Sequence, residues 1–137
     1  STPGHSSAAS DVYKRQIDII INEKMIENVR HLEPIFMGGL KNFEDLEFIG
    51  ESRGIGLMGA LEMVQDKKNK LPFDGSISIG ERVANKCIEN GLICRPLGPS
   101  IVLCPPFITS EEEMGIIFDT LEKTLKEVFS EVKSLGQ

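Results

Sequence analysis

The sequence predicts an α/β domain, arranged as an α+β-like two-layer sandwich with a small, mainly antiparallel sheet. Three observations support this fold class. Apolar residues recur at helical spacing in three stretches, short glycine-containing apolar segments lie between them, and the two patterns alternate along the chain. The predicted order is helix, two strands, helix, two strands, helix. Elements in this order can bury their apolar faces when the helices pack on one sheet.

The first helix is predicted over residues 17–46, where apolar side chains follow one another at intervals of three and four residues. Pro34 lacks a backbone donor and should kink this helix near residues 30–34. The apolar stripe consists of Ile21, Met25, Val29, Leu32, Phe36, Leu40 and Phe43.

The segment before this helix, STPGHSSAASDVYKRQ, has a different composition. It is rich in serine and alanine, shows no apolar periodicity and lacks the apolar core of a signal peptide. We therefore expect residues 1–16 to be a non-native or disordered leader, and residues 17–137 to form the domain.

The strands are predicted from glycine and proline positions. Residues 48–64, FIGESRGIGLMGALEMV, should form two strands joined at a tight turn or bulge, and the polar residues 65–78 should form a surface loop. Two further strands are expected at residues 92–95 and 101–104, linked by PLGPS.

The other two helices have start signals in the sequence. Ser78 and Glu81 have the spacing of a capping box, as do Thr109 and Glu112. Gly91 is placed to end the earlier of these helices. Its expected buried face is Val83, Ala84, Cys87 and Ile88. The stripe of the last helix is Met114, Ile117, Phe118, Leu121, Leu125, Val128, Phe129 and Val132.

Composition excludes several classes of protein. A length of 137 residues suits one domain, and a net charge of −6 without a basic block argues against a nucleic-acid or anionic-membrane partner. No apolar run reaches the roughly 18 residues that span a bilayer. The three cysteines lack C-x-x-C spacing and favour buried reduced thiols in a cytoplasmic protein. No cluster joins His5 and His31, so no metal site is predicted.

Arg95 is the candidate binding residue, because it lies between two apolar runs in GLICRPLGPSIVLCPPF. Pro96 favours an extended conformation at Arg95, and a guanidinium matches a carboxylate through two parallel hydrogen bonds. Spacing alone favours another interpretation, an arginine paired with a nearby acid or one exposed to water at a turn. The RGIG segment, residues 53–56, is not G-x-G-x-x-G and is interpreted as a glycine-assisted turn in which Arg53 bonds a neighbour.

No complete catalytic set is found in the sequence. A lysine that reacts with a carbonyl group needs a desolvated setting, and His31 has no predicted nucleophile beside it. Nine lysines instead lie on polar faces or in the polar loop: Lys24, Lys41, Lys67, Lys68, Lys70, Lys86, Lys123, Lys126 and Lys133. We therefore predict no catalytic, cofactor-binding or metal-binding residue in this chain.

From about residue 23 onward, the sequence resembles the C-terminal small domain of class III aminotransferases, the pyridoxal-phosphate enzymes of fold type I. The segment ESRGIGLMGALEMV is similar to the strand pair of that domain. The segment from NKLPFDGSIS through GLICRPLG and IVLCPPF to FSEV resembles the pyruvate-dependent omega-amino acid and amine transaminase subgroup.

The resemblance implies a role for Arg95, since the arginine of the CRPLG motif in that subgroup binds substrate carboxylates and swings away for apolar amines. It also implies that the cofactor lysine and phosphate-binding residues belong to an N-terminal large domain upstream of this chain. The implied enzyme is a cytoplasmic homodimer that transfers an amino group from an amine or omega-amino acid to pyruvate or a similar keto acid. The isolated chain should then be inactive.

Two other interpretations remain open. A free-standing α/β domain that binds a small ligand or regulates another protein would need its own polar pocket, and only Arg95 and Arg53 are obvious anchors. A structural or interaction module is supported mainly by the amphipathic helices.

Overall fold

A four-stranded antiparallel sheet forms one layer of the molecule, and helices form the other. The computed structural model describes residues 4–135, with side chains from residue 8 onward. The elements are α1 (Gly4–Asn22), α2 (Met25–Asn42), β1 (Ile49–Ile55), β2 (Met58–Met63), α3 (Ile79–Glu89), β3 (Arg95–Leu97), β4 (Ser100–Leu103) and α4 (Glu111–Leu135). From α2 onward the predicted order of elements is confirmed, and α1 is an additional helix.

The single kinked helix predicted at residues 17–46 is wrong. Two helices occupy this region, and they are separated at Lys24, which has the left-handed backbone conformation with φ of 51°. Pro34 lies inside α2 without ending it. Leu32, Phe36 and Leu40 of α2 are buried, as the stripe predicts. The break was missed because the apolar spacing continues across it, although Ile21 before the break is exposed.

The segment expected to be a leader lies partly in α1. Residues 1–3 are outside the described residues, and residues 4–16 belong to α1. No break in α1 marks residue 17, and the first buried core residue of the described chain is Leu32. The division into a leader and a domain at residue 17 stays a prediction.

The strand order is β1-β2-β4-β3, so β1 and β3 form the two edges. The β1–β2 pair predicted at residues 48–64 is confirmed, and it contains an irregularity between Ile49 and Glu51. The predicted strands at 92–95 and 101–104 are shifted: β3 begins at Arg95, and β4 ends at Leu103. The expected PLGPS linker is mostly strand, because the turn is confined to Gly98 and Pro99 and Leu97 pairs with Ser100. Pro96 is accommodated because an edge strand needs hydrogen bonds on one side only.

The sheet has one covered and one open face. We call the covered side the inner face; its side chains Leu61, Met63, Ile101 and Leu103 are buried under α2, α3 and α4. The alternate positions form the outer face, because successive side chains in a strand point to opposite sides. The outer face includes Arg53, Ile55, Met58, Ala60, Arg95, Leu97 and Val102.

Both helices begin close to the predicted capping boxes, but the capping hydrogen bonds differ from the predicted ones. Ser78 precedes α3 in the left-handed conformation and makes no capping bond from its side chain. At α4 the capping box is formed one residue later than predicted: Ser110 N donates to Glu113 Oε2 (2.8 Å), and Glu113 N donates to Ser110 Oγ (3.2 Å). The Thr109 hydroxyl instead donates to the Pro106 carbonyl.

The predicted face of α3 is correct except at one residue. Val83, Ala84 and Cys87 are buried, whereas Ile88 is exposed because it lies past the edge of the buried stripe. Gly91 follows the helix with φ of 86°, which is the glycine position that we predicted. The predicted stripe of α4 packs in the core, with Ile117 and Phe118 partly buried.

Candidate functional site

Arg95 is the first residue of β3 and lies on the outer face of the sheet. Its cross-strand partner is Val102 of β4, and its side chain is exposed. Among residues 8–135 no carboxylate forms an ion pair with Arg95, and no hydrogen bond of its guanidinium is found. The interpretation of Arg95 as an internally paired arginine therefore lacks a partner in the described part of the chain.

The strand that carries Arg95 is held firmly in place. Cys94, immediately before it, is buried, and Pro96 is half-buried. The turn after β3 lies directly against the first turn of α3, where a Cβ atom on Gly80 would be 2.2 Å from the Gly98 carbonyl oxygen. Only glycine permits this approach, so α3 fixes β3 from behind while the Arg95 side chain extends from the opposite face.

Arg53 lies in the same row of the sheet as Arg95. Cross-strand pairing connects Arg53 to Ala60, Ala60 to Val102, and Val102 to Arg95. Unlike Arg95, Arg53 is paired: its Nη1 donates to Glu62 Oε2 at 2.8 Å, and Glu51 Oε1 is 3.8 Å away. The predicted hydrogen bond of Arg53 to a neighbour is confirmed.

The glycine-assisted turn predicted at residues 53–56 is shifted: residues 53–55 belong to β1, and the hairpin turn lies at Gly56 and Leu57. The Gly56 N–H donates to Glu33 Oε1 of α2 at 2.7 Å, and this hydrogen bond connects the turn to the helix. The hairpin end exposes Ile55 and Met58 on the outer face. Its role in the described chain is to connect two strands and present these apolar side chains.

Two apolar residues share the outer face with Arg95 on β3 and β4. Leu97 lies two residues further along β3 and is 62% exposed, and Val102 opposite Arg95 is half-buried. The sequence did not identify Leu97 as a neighbour on this face, because the predicted strand ended at residue 95. Correct placement of β3 would have revealed it, since residues two apart in a strand share a face. Within the described residues, the site thus combines a cation without an ion-pair partner with the apolar side chains of Leu97 and Val102.

Other reactive side chains are distributed away from this site. Lys86 is half-buried, but its bond to Glu89 Oε2 (2.9 Å) raises its pKa, opposite to what a nucleophilic lysine needs. The other eight lysines named above are exposed. His31 Nε2 lies 2.6 Å from Glu111 Oε1 on the helical side, while the side chain of His5 is outside the described residues.

The cysteines divide into two groups. Cys87 and Cys94 are buried and unbridged, as predicted, but Cys104 is exposed, because it follows the end of β4. Among the described residues, no three or more histidine, cysteine or carboxylate side chains are grouped so that they could hold a metal ion. No helix within residues 4–135 has both the length and the apolar character needed to cross a membrane.

Solved structures with this architecture define the class of protein. The chain superposes on an omega-transferase from Vibrio fluvialis JS17 with a TM-score of 0.85 and 56% identity, covering 86% of this chain and 28% of the other. It superposes on a PMP-bound aminotransferase from Vibrio fluvialis with a TM-score of 0.83 and 57% identity, covering 85% of this chain and 26% of the other. The fold is therefore that of an aminotransferase fragment.

The family is established by sequence. The profile of aminotransferase class-III matches residues 2–125, and the chain belongs to this family of pyridoxal-phosphate-dependent enzymes. A putrescine–pyruvate aminotransferase from Pseudomonas aeruginosa is 30% identical over 130 residues, which are 94% of this chain and 28% of that protein. The chain spans only about a quarter of the length of these relatives. The profile match also includes most of the segment that we expected to be a leader.

Proposed function

We propose that this chain is the substrate-binding small domain of a transaminase that moves an amino group from an amine or omega-amino acid to pyruvate or a similar keto acid. The observation that carries the proposal is the difference between the two outer-face arginines. Arg53 is paired with Glu62 at 2.8 Å, whereas Arg95 has no ion-pair partner among residues 8–135. The family match and the pyruvate-dependent relative support this class of substrate.

The proposed role of Arg95 follows from the geometry of its side chain. A guanidinium forms two parallel hydrogen bonds with a carboxylate and keeps its charge at all physiological pH values. Because the Arg95 side chain is exposed, it is free to turn away from the outer face. The surface near Leu97 and Val102 would then accept an apolar substituent. One surface thus binds either an anionic or an apolar substrate group, depending on the rotamer of Arg95.

The described residues do not fit a covalent attachment site for pyridoxal phosphate. Such a lysine needs a desolvated environment, whereas nine of the ten lysines are exposed and Lys86 is bonded to Glu89. We therefore assign cofactor binding to a large domain outside this chain. When bound there, the cofactor would serve as the electron sink of the reaction.

The proposed partners follow from the same assignment. A large domain of the same polypeptide would meet the outer face, where Ile55, Met58 and Leu97 are all more than half exposed. Two such polypeptides would form a homodimer, and the absence of a membrane-crossing helix from residues 4–135 is compatible with a cytoplasmic location. The chain alone would then have no transaminase activity.

The test is the substitution Arg95→Ala in the full-length enzyme that contains this chain. Loss of a charge-assisted contact of about 1.5–3 kcal/mol should lower kcat/KM for keto acids by roughly 10- to 150-fold. The half-reaction with an apolar amine that lacks a carboxylate should change much less. Single-turnover absorbance measurements on each half-reaction separate the two effects.

The matched control is Arg53→Ala, which removes the paired guanidinium from the same row of the sheet. It should leave the ratio of keto-acid to amine reactivity unchanged. Equal losses for both substrate kinds in Arg95→Ala, or an equally selective loss in Arg53→Ala, would reject the proposed role of Arg95.

A further inference from the structure

The sequence contains one asparagine–glycine pair, Asn90–Gly91, and it lies where α3 ends. In such a pair the backbone nitrogen of the glycine can attack the side-chain amide carbon of the asparagine, because glycine has no side chain to hinder the approach. The reaction is called deamidation, and it converts the amide into a carboxylate. Neither residue has a role in the proposed substrate site.

The side-chain amide of Asn90 is bonded to α4 through both its nitrogen and its oxygen. Its Nδ2 donates to Thr124 Oγ1 at 3.0 Å and to Glu127 Oε2 at 3.1 Å, and Lys123 Nζ donates to its Oδ1 at 3.2 Å. The buried Thr124 hydroxyl donates to the Thr120 carbonyl at 2.8 Å, so it meets Asn90 as an acceptor. We call these contacts of Asn90 the α3–α4 junction. They fix the carbon atom that deamidation would attack.

The nitrogen that would attack this carbon is also held in place. The Gly91 N–H donates to the Ile88 carbonyl at 3.0 Å. Asn90 has ψ of 4°, which turns the Gly91 nitrogen away from the Asn90 side chain. Ring closure needs that nitrogen and the Asn90 Cβ on the same side of the bond between Cα and the carbonyl carbon. The attack therefore requires local opening of the α3–α4 junction.

We propose that Asn90 is a modification site, which deamidates through Gly91 when the α3–α4 junction opens and is protected while the junction is closed. The Gly91 nitrogen gives up its proton and bonds to Cγ of Asn90. The bond from Cγ to Nδ2 breaks, and ammonia leaves with that proton. Water then opens the ring at either carbonyl, giving aspartate or isoaspartate. One water is consumed, one ammonia is released, and nothing is oxidised or reduced.

The product would not restore the α3–α4 junction. Thr124 Oγ1 and Glu127 Oε2 both accept hydrogen bonds from Asn90, whereas an ionised carboxylate has no proton to donate. The new negative charge would replace an amide nitrogen that lies 3.1 Å from Glu127 Oε2, and the two carboxylates would repel each other. Lys123 would offset only part of this repulsion, because it already lies 3.9 Å from Glu127 Oε1. Deamidation should therefore loosen the contact between α3 and α4.

The experiment follows deamidation in the full-length protein that contains this chain. The protein is kept at mildly alkaline pH, folded or in urea above its unfolding midpoint, and is then digested with a protease that cuts after lysine. Residues 87–123 form one peptide, in which Asn90 is the only side-chain amide, so mass spectrometry locates the change from amide to acid. The conversion should be at least about tenfold faster in urea. The peptide of residues 71–86, with Asn85 before Lys86, is the internal control and should convert little in either state.

Two variants weaken the α3–α4 junction without changing the reacting residues. Thr124→Val and Glu127→Ala each remove one acceptor of Asn90 Nδ2. Each should speed conversion in the folded protein by roughly 2- to 12-fold. Glu131→Ala removes an exposed carboxylate one turn further along α4 and is the matched control, which should leave the rate unchanged.

The effect of the product is measured with Asn90→Asp, which should lower the urea midpoint more than Asn85→Asp on the exposed side of α3. Four results would overturn the proposal: conversion as fast in the folded protein as in urea, no conversion of residues 87–123 in urea, equal rates in Glu127→Ala and Glu131→Ala, or equal midpoints in the two aspartate variants. These outcomes are covalent and structural, so they do not depend on whether Arg95 binds substrate.

Discussion

At the scale of single residues, the carboxylate of Glu44 connects the end of α2 to the edge strand β1. Lys41 Nζ donates to Oε2 at 2.5 Å, while the hydroxyl and the N–H of Ser52 donate to Oε1 at 2.6 and 2.9 Å. These bonds, with Lys41 the largest contributor, lower the pKa of Glu44 to about 2 from its ordinary 4.5. The contact also satisfies a backbone donor that an edge strand would otherwise expose.

Glu44→Gln should therefore lower the stability of the chain at neutral pH. A carboxylate with a depressed pKa in the folded state stabilises the protein above its unfolded pKa and loses this contribution as the pH falls toward the folded value. The difference between wild type and variant should thus be complete above pH 5 and shrink as the pH falls from 4.5 toward about 2. Urea unfolding followed by circular dichroism at a series of pH values measures it.

The control for this prediction is Glu122→Gln, which removes an exposed carboxylate paired with Lys126 one turn away on α4. Exposed pairs of this kind contribute little. A variant of Glu44 whose stability loss is the same at pH 3 and pH 7 would contradict the assigned cause.

At single residues, the sequence shows which chemical groups are present but not which groups they meet. Arg95 is recognisable as a cation between apolar runs, and its substrate-binding role stays a prediction. The pairing of Arg53 with Glu62 was not specified, because these residues are nine apart and meet only through the β1–β2 register. The register of two paired strands determines which side chains meet across a sheet, and this register cannot be derived from the sequence alone.

At the scale of elements, two segments with the same S-x-x-E spacing behave differently. Ser110 and Glu113 form a reciprocal capping box at α4, whereas Ser78 before α3 has φ of 48° and makes no capping bond. The cause is the preceding 3₁₀ turn at Gly75–Ile77, which directs the Ser78 hydroxyl back toward the Gly75 carbonyl. A motif therefore predicts where a helix begins better than it predicts which bonds form there.

This difference gives a matched pair of substitutions. Ser110→Ala should destabilise the chain by about 1 kcal/mol, because the first turn of α4 loses the side-chain acceptor for a backbone donor. Ser78→Ala should cost no more than about 0.5 kcal/mol, since it removes no cap. Urea unfolding of both variants under the same conditions gives the comparison, and equal losses would show that the capping box of α4 does not stabilise the protein.

The shifted strand β3 shows why element boundaries were the least accurate part of the prediction. The apolar residues 92–94 favour a strand locally, yet β3 begins only at Arg95. Tertiary contacts decide this, because Gly98 closes the turn and β4 offers its hydrogen bonds to residues 95–97. The break at Lys24 was also missed, because the spacing of apolar residues does not show where a single residue adopts the left-handed conformation.

At the scale of the whole molecule, the sheet is covered on one side only. The inner face contains fully buried Leu61 and Ile101, whereas the outer face exposes Ile55 by 70%, Met58 by 56% and Leu97 by 62%. An apolar surface of this kind promotes association in water. We therefore expect the isolated chain to self-associate through the outer face.

The combined substitutions Ile55→Thr, Met58→Thr and Leu97→Thr should increase the monomer fraction of the isolated chain without changing its circular dichroism spectrum. Threonine keeps a preference for strand conformation while it reduces apolar exposure. Analytical ultracentrifugation measures the change. The control is Ile88→Gln with Leu135→Gln, which removes exposed apolar side chains from α3 and α4. Association that persists in the triple variant, or that the helical control abolishes, would assign the contact to another surface.

The sequence by itself determined the fold class, the succession of elements from α2 onward and the apolar residues of the core, because these depend on local spacing and on burial. Only the tertiary structure decided where the break between α1 and α2 lies, which register aligns Arg53 with Arg95, and which face of the sheet is the uncovered outer face. These features depend on backbone reversals and on contacts between residues distant in sequence. Such contacts are absent from any single segment and arise when the segments pack.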